Sequence, residues 1–284
     1  MSKFDHPSKH LVKKGLSLFV LLILLAVNLN LVHAASASMP GTQELVPDSA
    51  VLSEFDQFVS QWTLKPSPPT QATGIIPNAQ EKKWVYLTFD DGPDPEWTPQ
   101  VVEMLNKYNA KATFYVIGKS AKSNADTILL MAQAGQNIAN HSYNHISLAA
   151  LSWTDFYLEV KDTELAVREA LVDYPDLENQ IVSCVRPPYG ETSPNIWTFA
   201  SRMHYDVSMW SLDTRDWSGV SAETIRETVL ANVKPESIIL MHDGGKNRTE
   251  TVRGLGLLLH ELVRQGYTFE SYCTADGQVR VGQN

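Results

Sequence analysis

Trp84-Val85-Tyr86-Leu87-Thr88-Phe89-Asp90-Asp91-Gly92-Pro93 is the stretch from which the fold is read. A run rich in aromatic and β-branched side chains ends in two carboxylates and the turn former Gly92-Pro93. That is the profile of a short strand opening into a loop. Working outward, a helical pattern follows over residues 99–108 and a second strand-like run over 112–117. A helix over 124–134 leads to a third strand over 136–140. A long helix is predicted over 154–171, with Phe156, Val160, Leu165 and Val167 at its apolar positions. Further strands fall at 181–186, 205–212, 237–241 and 267–272, separated by helices at 194–202, 222–232 and 251–265. Strands alternating with helices specify parallel βα units. A full eight-fold barrel takes about 250 residues, so seven or eight units in roughly 200 predict a distorted, incomplete (β/α) barrel of the α/β class.

Polar residues fall where such a barrel places chemistry. Asp90 and Asp91 end the first strand, and His141 and His145 follow the third. Arg186, Asp213, Asp216 and His242 lie at the ends of later strands. Strand C-termini converge on one mouth, so these distant residues can meet there. Two imidazoles four apart share a face if residues 141–145 make one helical turn. Joined by a carboxylate from another strand, they form a His-His-Asp set that can hold a divalent ion and leave a position open for water. Of eight histidines, three lie in the first 33 residues, and three of the remaining five sit at predicted strand ends. A surface histidine pair is common and Asp-Gly-Pro is an ordinary turn. Convergence of separate segments, more than any one pair, therefore identifies the site. The adjacent aspartates divide labour in this reading, one binding metal and its neighbour accepting a proton. Val185-Arg186-Pro187-Pro188-Tyr189-Gly190 is a stiff loop suited to holding a guanidinium against a carboxylate.

Five segments in order carry a resemblance: Thr88-Phe89-Asp90-Asp91-Gly92-Pro93, the His141-Ser142-x-x-His145 segment, Arg186-Pro187-Pro188-Tyr189, Asp213-x-x-Asp216-Trp217 and Leu240-Met241-His242. Over about residues 83–272 the chain resembles the polysaccharide deacetylase family, also called the NodB-homology domain or carbohydrate esterase family 4. One mild departure is Ala139, where that family often has Gly. The resemblance implies metal-dependent removal of N-acetyl groups from polymeric amino sugars. It assigns Asp91, His141 and His145 to the metal, Zn²⁺ first, with Co²⁺ or another divalent ion as alternatives. Asp90 becomes the base and His242 the acid that protonates the departing amine. Arg186 orients Asp90. Asp216, with Asp213 as the second member, pairs with His242 or Arg186. The backbone N–H of Tyr189 stabilises the oxyanion, and Trp217 and Leu240 wall a small pocket for the acetyl methyl. Because Asp91 is not Asn and Tyr189 is not Arg, the chain departs from the N-acetylmuramic-acid branch, which favours N-acetylglucosamine units. Peptidoglycan ranks first, chitin-like oligosaccharides second and acetylxylan third. A catalytically silent glycan-binding protein is the alternative of another class.

The ends read differently. Lys13-Lys14 precede an apolar run over residues 15–27, shorter than the ~20 residues of a membrane span and followed by small residues. Residues 1–34 read as a signal peptide, with an uncleaved anchor as the alternative, which places the body outside the cytoplasm as a secreted or cell-envelope protein. No stable membrane insertion is expected after cleavage. Residues 35–82 read as an extension with one amphipathic helix (Val51, Phe55, Phe58, Val59, Trp62) and a Pro-rich linker. Residues 83–273 read as the catalytic domain and 274–284 as a tail. The formal charge of the whole chain is −9; the leader carries +3, so the remaining 250 residues carry −12. An acidic body repels phosphate backbones, which excludes nucleic acid as a partner. Asn247-Arg248-Thr249 is a glycosylation triplet of a kind common by chance. Two cysteines cannot build a disulfide scaffold. Export permits a Cys184–Cys273 bridge, although a buried thiol is the favoured reading for Cys184.

Overall fold

A computed structural model describes residues 83–273. In chain order these form β1 (Lys83–Asp90), α1 (Trp97–Lys107), β2 (Ala112–Val116), α2 (Gly118–Ser123), α3 (Ala125–Gln133), β3 (Asn137–Asn140) and α4 (Trp153–Ala170). Next come β4 (Ile181–Val185), α5 (Pro194–Arg202), β5 (Asp206–Val207), β6 (Leu212–Asp213), α6 (Ala222–Asn232), β7 (Ile238–His242), α7 (Thr249–Arg264) and β8 (Tyr267–Phe269). The strands are parallel in the order β5-β4-β3-β2-β1-β7-β6, and β8 pairs with the first half of β1. This is a curled, incomplete parallel sheet flanked by helices, as the alternation predicts. Register sets the rim. Asp90 lies level with Tyr115 on β2 and His242 on β7, and Asp213 lies beside Leu240.

Residues Val85–Asp90 of β1 are all buried. A near-continuous apolar run is what a central parallel strand needs, because both of its faces are covered. Local signals set the helix bounds. Ser152 and Ser221 cap α4 and α6 by accepting hydrogen bonds from the amides of Asp155 and Thr224, and Pro194 opens α5 where its missing N–H costs nothing.

Three features differ from the sequence reading. The run over 205–212 is two short strands, not one. Its middle leaves the sheet, and the carbonyls of Ser208 and Met209 turn to accept hydrogen bonds from Arg186. Helix α2 was not predicted, because Gly-Lys-Ser-Ala-Lys-Ser has no apolar period. The last strand stops at Phe269, and residues 270–273 cross the sheet. Glu270 N–H donates to Val85 O, Tyr272 N–H to Thr113 Oγ1, and Asn137 Nδ2 to Cys273 O. That crossing carries Cys273 from β1 past β2 and β3 to β4, where it forms a disulfide with Cys184. The free thiol favoured for Cys184 is thereby corrected. The Cys184–Cys273 bridge joins Tyr86, Tyr115, Ala139, Val182 and Tyr272 in one buried cluster. The signal segment, extension, linker and tail fall outside the described residues. Among the described residues no helix is long and apolar enough to cross a membrane.

Candidate active site

Arg186 is the hub. It is fully buried, and its Nη1 donates to Asp90 Oδ1 at 2.7 Å and to Thr88 Oγ1 at 2.9 Å. Nε and Nη2 reach the carbonyls of Ser208 and Met209. The Tyr115 ring lies 3.9 Å from the guanidinium carbon. A buried guanidinium is costly unless its donors are engaged and its charge is met, and here Asp90 meets it. The pairing fixes one oxygen of Asp90, while the other lies 3.8 Å from His141 Nε2.

Asp91, His141 and His145 bring one ligand atom each to within 4.8 Å of one another. Asp91 Oδ1 is 3.1 Å from His145 Nε2 and 3.6 Å from His141 Nε2. The Nδ1 of His141 lies 2.7 Å from the carbonyl of Arg186, which fixes that nitrogen as the N–H and leaves Nε2 its lone pair. Two imidazole nitrogens and a carboxylate oxygen are a donor set suited to a divalent ion of the zinc type, so the residues fit the metal the sequence implies. Residues 141–145 are not a helical turn, however. Ser142 and His145 hold φ of 65° and 55°, so the two imidazoles converge from a loop. Burial works to raise the pKa of Asp91, but the His145 hydrogen bond and the charges of His141, His242 and His145 bring it down to about 2. Burial lowers that of His141 against the opposing pull of Asp90 and Asp91.

Across the mouth, His242 Nδ1 lies 2.8 Å from Asp216 Oδ1, and Asp216 Oδ2 accepts from the His242 amide and from Thr251 Oγ1. Burial opposes the charged imidazolium, yet the hydrogen bond and charge of Asp216, with Asp90 and Asp91, raise the pKa of His242 above the ordinary histidine value. Burial likewise opposes the Asp216 carboxylate, and His242 and Arg248 outweigh it to lower its pKa. Asp213 stands apart from this pair. Its oxygens accept from the Arg215 amide and the Trp217 indole, so the pairing expected with His242 or Arg186 falls to Asp216 alone. Tyr189, Trp217, Leu240 and Trp210 line a cavity of about 460 Å³ that these groups share. Tyr189 has φ of 63°, and its hydroxyl donates to the carbonyl of His145.

Sequence reasoning missed Thr88, Tyr115, Trp210, Asp243 and Arg248. Burial pushes the Tyr115 hydroxyl up to about 12, and that hydroxyl bonds Ser208. Asp243 is buried against Thr98 Oγ1 at 2.5 Å, and Arg248 Nη2 lies 3.9 Å from Asp91 Oδ2. Thr88 carried a usable signal, as a lone hydroxyl in an apolar strand. The buried Arg248 was hidden inside a triplet read only for glycosylation.

A family model described as polysaccharide deacetylase matches residues 78–208. The chain is 35% identical over 208 residues to a peptidoglycan-N-acetylglucosamine deacetylase of Bacillus cereus, covering 71% of this chain and 91% of that protein. It is 36% identical over 197 residues to a chitooligosaccharide deacetylase of Sinorhizobium fredii, covering 66% and 89% of the two chains. The crystal structure of the Bc1960 peptidoglycan N-acetylglucosamine deacetylase, in complex with a naphthyl N-oxidanyl-benzamide, superposes with a TM-score of 0.62 at 35% identity, covering 67% of this chain and 86% of that one.

Proposed function

The chain belongs to the polysaccharide deacetylase family, a hydrolase whose fold carries an Asp/His/His metal site, and we propose that it removes N-acetyl groups from N-acetylglucosamine units of peptidoglycan. The observation that carries this reading is the juxtaposition of the Asp91-His141-His145 donor set with an Arg186-clamped Asp90 and an Asp216-held His242 around one cavity. Its metal is Zn²⁺ in this proposal, with Co²⁺ or another divalent ion as the alternative; when bound it supplies Lewis-acid polarisation of the amide carbonyl and acidification of the attacking water.

The chain's own residues do the rest. Asp90 takes the proton of the attacking water, its carboxylate held by Arg186 so that one oxygen remains available. His242 gives a proton to the departing nitrogen, which would otherwise leave as an amide anion. Its hydrogen bond to Asp216 keeps the imidazole oriented and favours its charged form. The Tyr189 amide steadies the developing oxyanion. Leu240 and Trp217 receive the acetyl methyl, and Asp213 braces Trp217 through its indole N–H.

The Bacillus cereus relative supports peptidoglycan, and the Sinorhizobium fredii relative favours a second reading, a chitooligosaccharide deacetylase. Residues 83–273 form the catalytic domain in this proposal, and residues 1–34 export it to the cell envelope or beyond. Acetate release is measured from peptidoglycan, chitooligosaccharides and acetylxylan, before and after chelation and zinc restoration. Metal-dependent release from peptidoglycan is expected. Release from acetylxylan alone overturns the substrate, and release indifferent to chelation overturns the metal.

A further inference from the structure

The loop that carries both histidines does not hold itself together. Ser142 and His145 are non-glycine residues in the left-handed region, a strain that the surroundings must offset. Some of that support is backbone: Gly118 and Lys119, at the start of α2, donate to the carbonyls of Ser142 and Tyr143, both at 3.0 Å. The Ser142 amide donates to Asn140 Oδ1 at 2.9 Å and the Tyr189 hydroxyl to the His145 carbonyl at 3.1 Å, and the two residues between the histidines are held by one side chain on α4. Glu159 Oε2 accepts from the amides of Tyr143 and Asn144, both at 2.9 Å, and Oε1 accepts from Asn144 Nδ2 at 2.7 Å. Glu159 is 8% exposed and has no ion-pair partner among the described residues. Its charge is met by three N–H donors, and all three lie between His141 and His145. A buried carboxylate so placed does more than fill space, because charge-assisted bonds are short, directional and about twice as strong as neutral ones.

We propose that Glu159 is a positioning residue for the metal centre, the latch that fixes His145 relative to His141 so that both nitrogens face Asp91. The proposal rests on the metal reading above, extended to a residue outside the five sequence motifs. Glu159 bonds neither histidine itself but the two residues between them, and loss of hydrogen bonds to a charged group is worth roughly 10–100-fold.

Zinc dissociation constants of the full chain are measured by competition with a chromophoric chelator, beside circular dichroism and melting of the metal-free protein. Glu159→Gln is expected to keep the parent's circular dichroism and weaken zinc binding by about 10–100-fold. Glu159→Asp, which keeps the charge, recovers part of that loss. Glu164→Gln on the same helix, which disturbs contacts with Lys161, Arg168 and Tyr205 and none with residues 141–145, keeps the parent constant. A folded Glu159→Gln protein with the parent constant overturns the proposal. If Glu159→Gln does not fold, Asn144→Ala carries the test. It removes one bond and is expected to weaken zinc by roughly three- to tenfold, and a parent-like constant overturns the latch. A parent chain that binds no divalent metal instead overturns the metal reading itself.

Discussion

Asp90 and Asp91 are adjacent in the chain and chemically unlike. One is clamped by the fully buried Arg186, and the other faces two imidazoles. Substituting Asp90 by Asn keeps an oxygen for Arg186 Nη1 while removing the proton acceptor. The expected outcome is a fall in turnover of about 10²–10⁴-fold with zinc affinity unchanged, read by acetate release and chelator competition. Parent-level turnover would transfer the base role elsewhere. His242 offers a pH test. An acid works only while protonated, so a raised pKa holds the rate up as pH climbs, and the rate falls once pH passes that value. In Asp216→Asn the carboxylate that raises this pKa is gone, while burial, which lowers it, remains. The alkaline limb of the pH–rate profile therefore moves to lower pH. An unmoved limb would detach the limb from the His242–Asp216 pair.

At the scale of elements, legibility tracked how locally each bound is encoded. Helices α5 and α6 were predicted with the bounds they have, because Pro194 and Ser221 announce their starts in the sequence itself. The 205–212 run was misread because its interruption answers to Arg186, some twenty residues away, and nothing local marks it. Spacing alone puts the two histidines on one face only if their loop makes a helical turn, and it does not. Its real shape depends on amides captured by Glu159 and on the close approach of α2, neither visible in a window of five residues. The five motifs revealed which residues meet, and the sequence was silent on what holds them. Gly118 makes that dependence testable. A Cβ there would stand 2.5 Å from both Thr163 Oγ1 and Tyr143 Cδ2 and 2.8 Å from the Thr163 backbone. Backbone cannot give way cheaply, and overpacking of this kind costs about 1–3 kcal/mol. Gly118→Ala is expected to lower the melting temperature by roughly 3–10 °C. It should also weaken zinc binding, because the displaced Tyr143 belongs to the ligand loop. A loss of stability with zinc affinity intact would separate α2 from the site.

Over the whole molecule, an incomplete barrel must cover the inside of its sheet with something other than missing strands. Here the end of the described chain does so, running beneath β2 and β3 and ending in a covalent tie to β4. Cys184 and Cys273 are 89 residues apart in sequence. Closing a loop of that size restricts the unfolded chain by about 4–5 kcal/mol in the entropic limit, and measured losses of native bridges run from about 2 to 5 kcal/mol. The tie also borders the site from below: Tyr115 bonds Cys273 Sγ through its hydroxyl and stacks its ring under Arg186, which holds Asp90. Asp91, His141 and His145 are not among the residues packed around the bridge, so stability and metal affinity should respond separately. Replacing both cysteines by Ala is expected to lower the melting temperature by roughly 5–15 °C while zinc affinity stays at the parent value. Reductant should bring the parent down to the melting temperature of the double variant and leave that variant where it is. A parent whose melting is indifferent to reductant under denaturing conditions, with two titratable thiols, would show that packing alone holds residues 270–273 across the sheet.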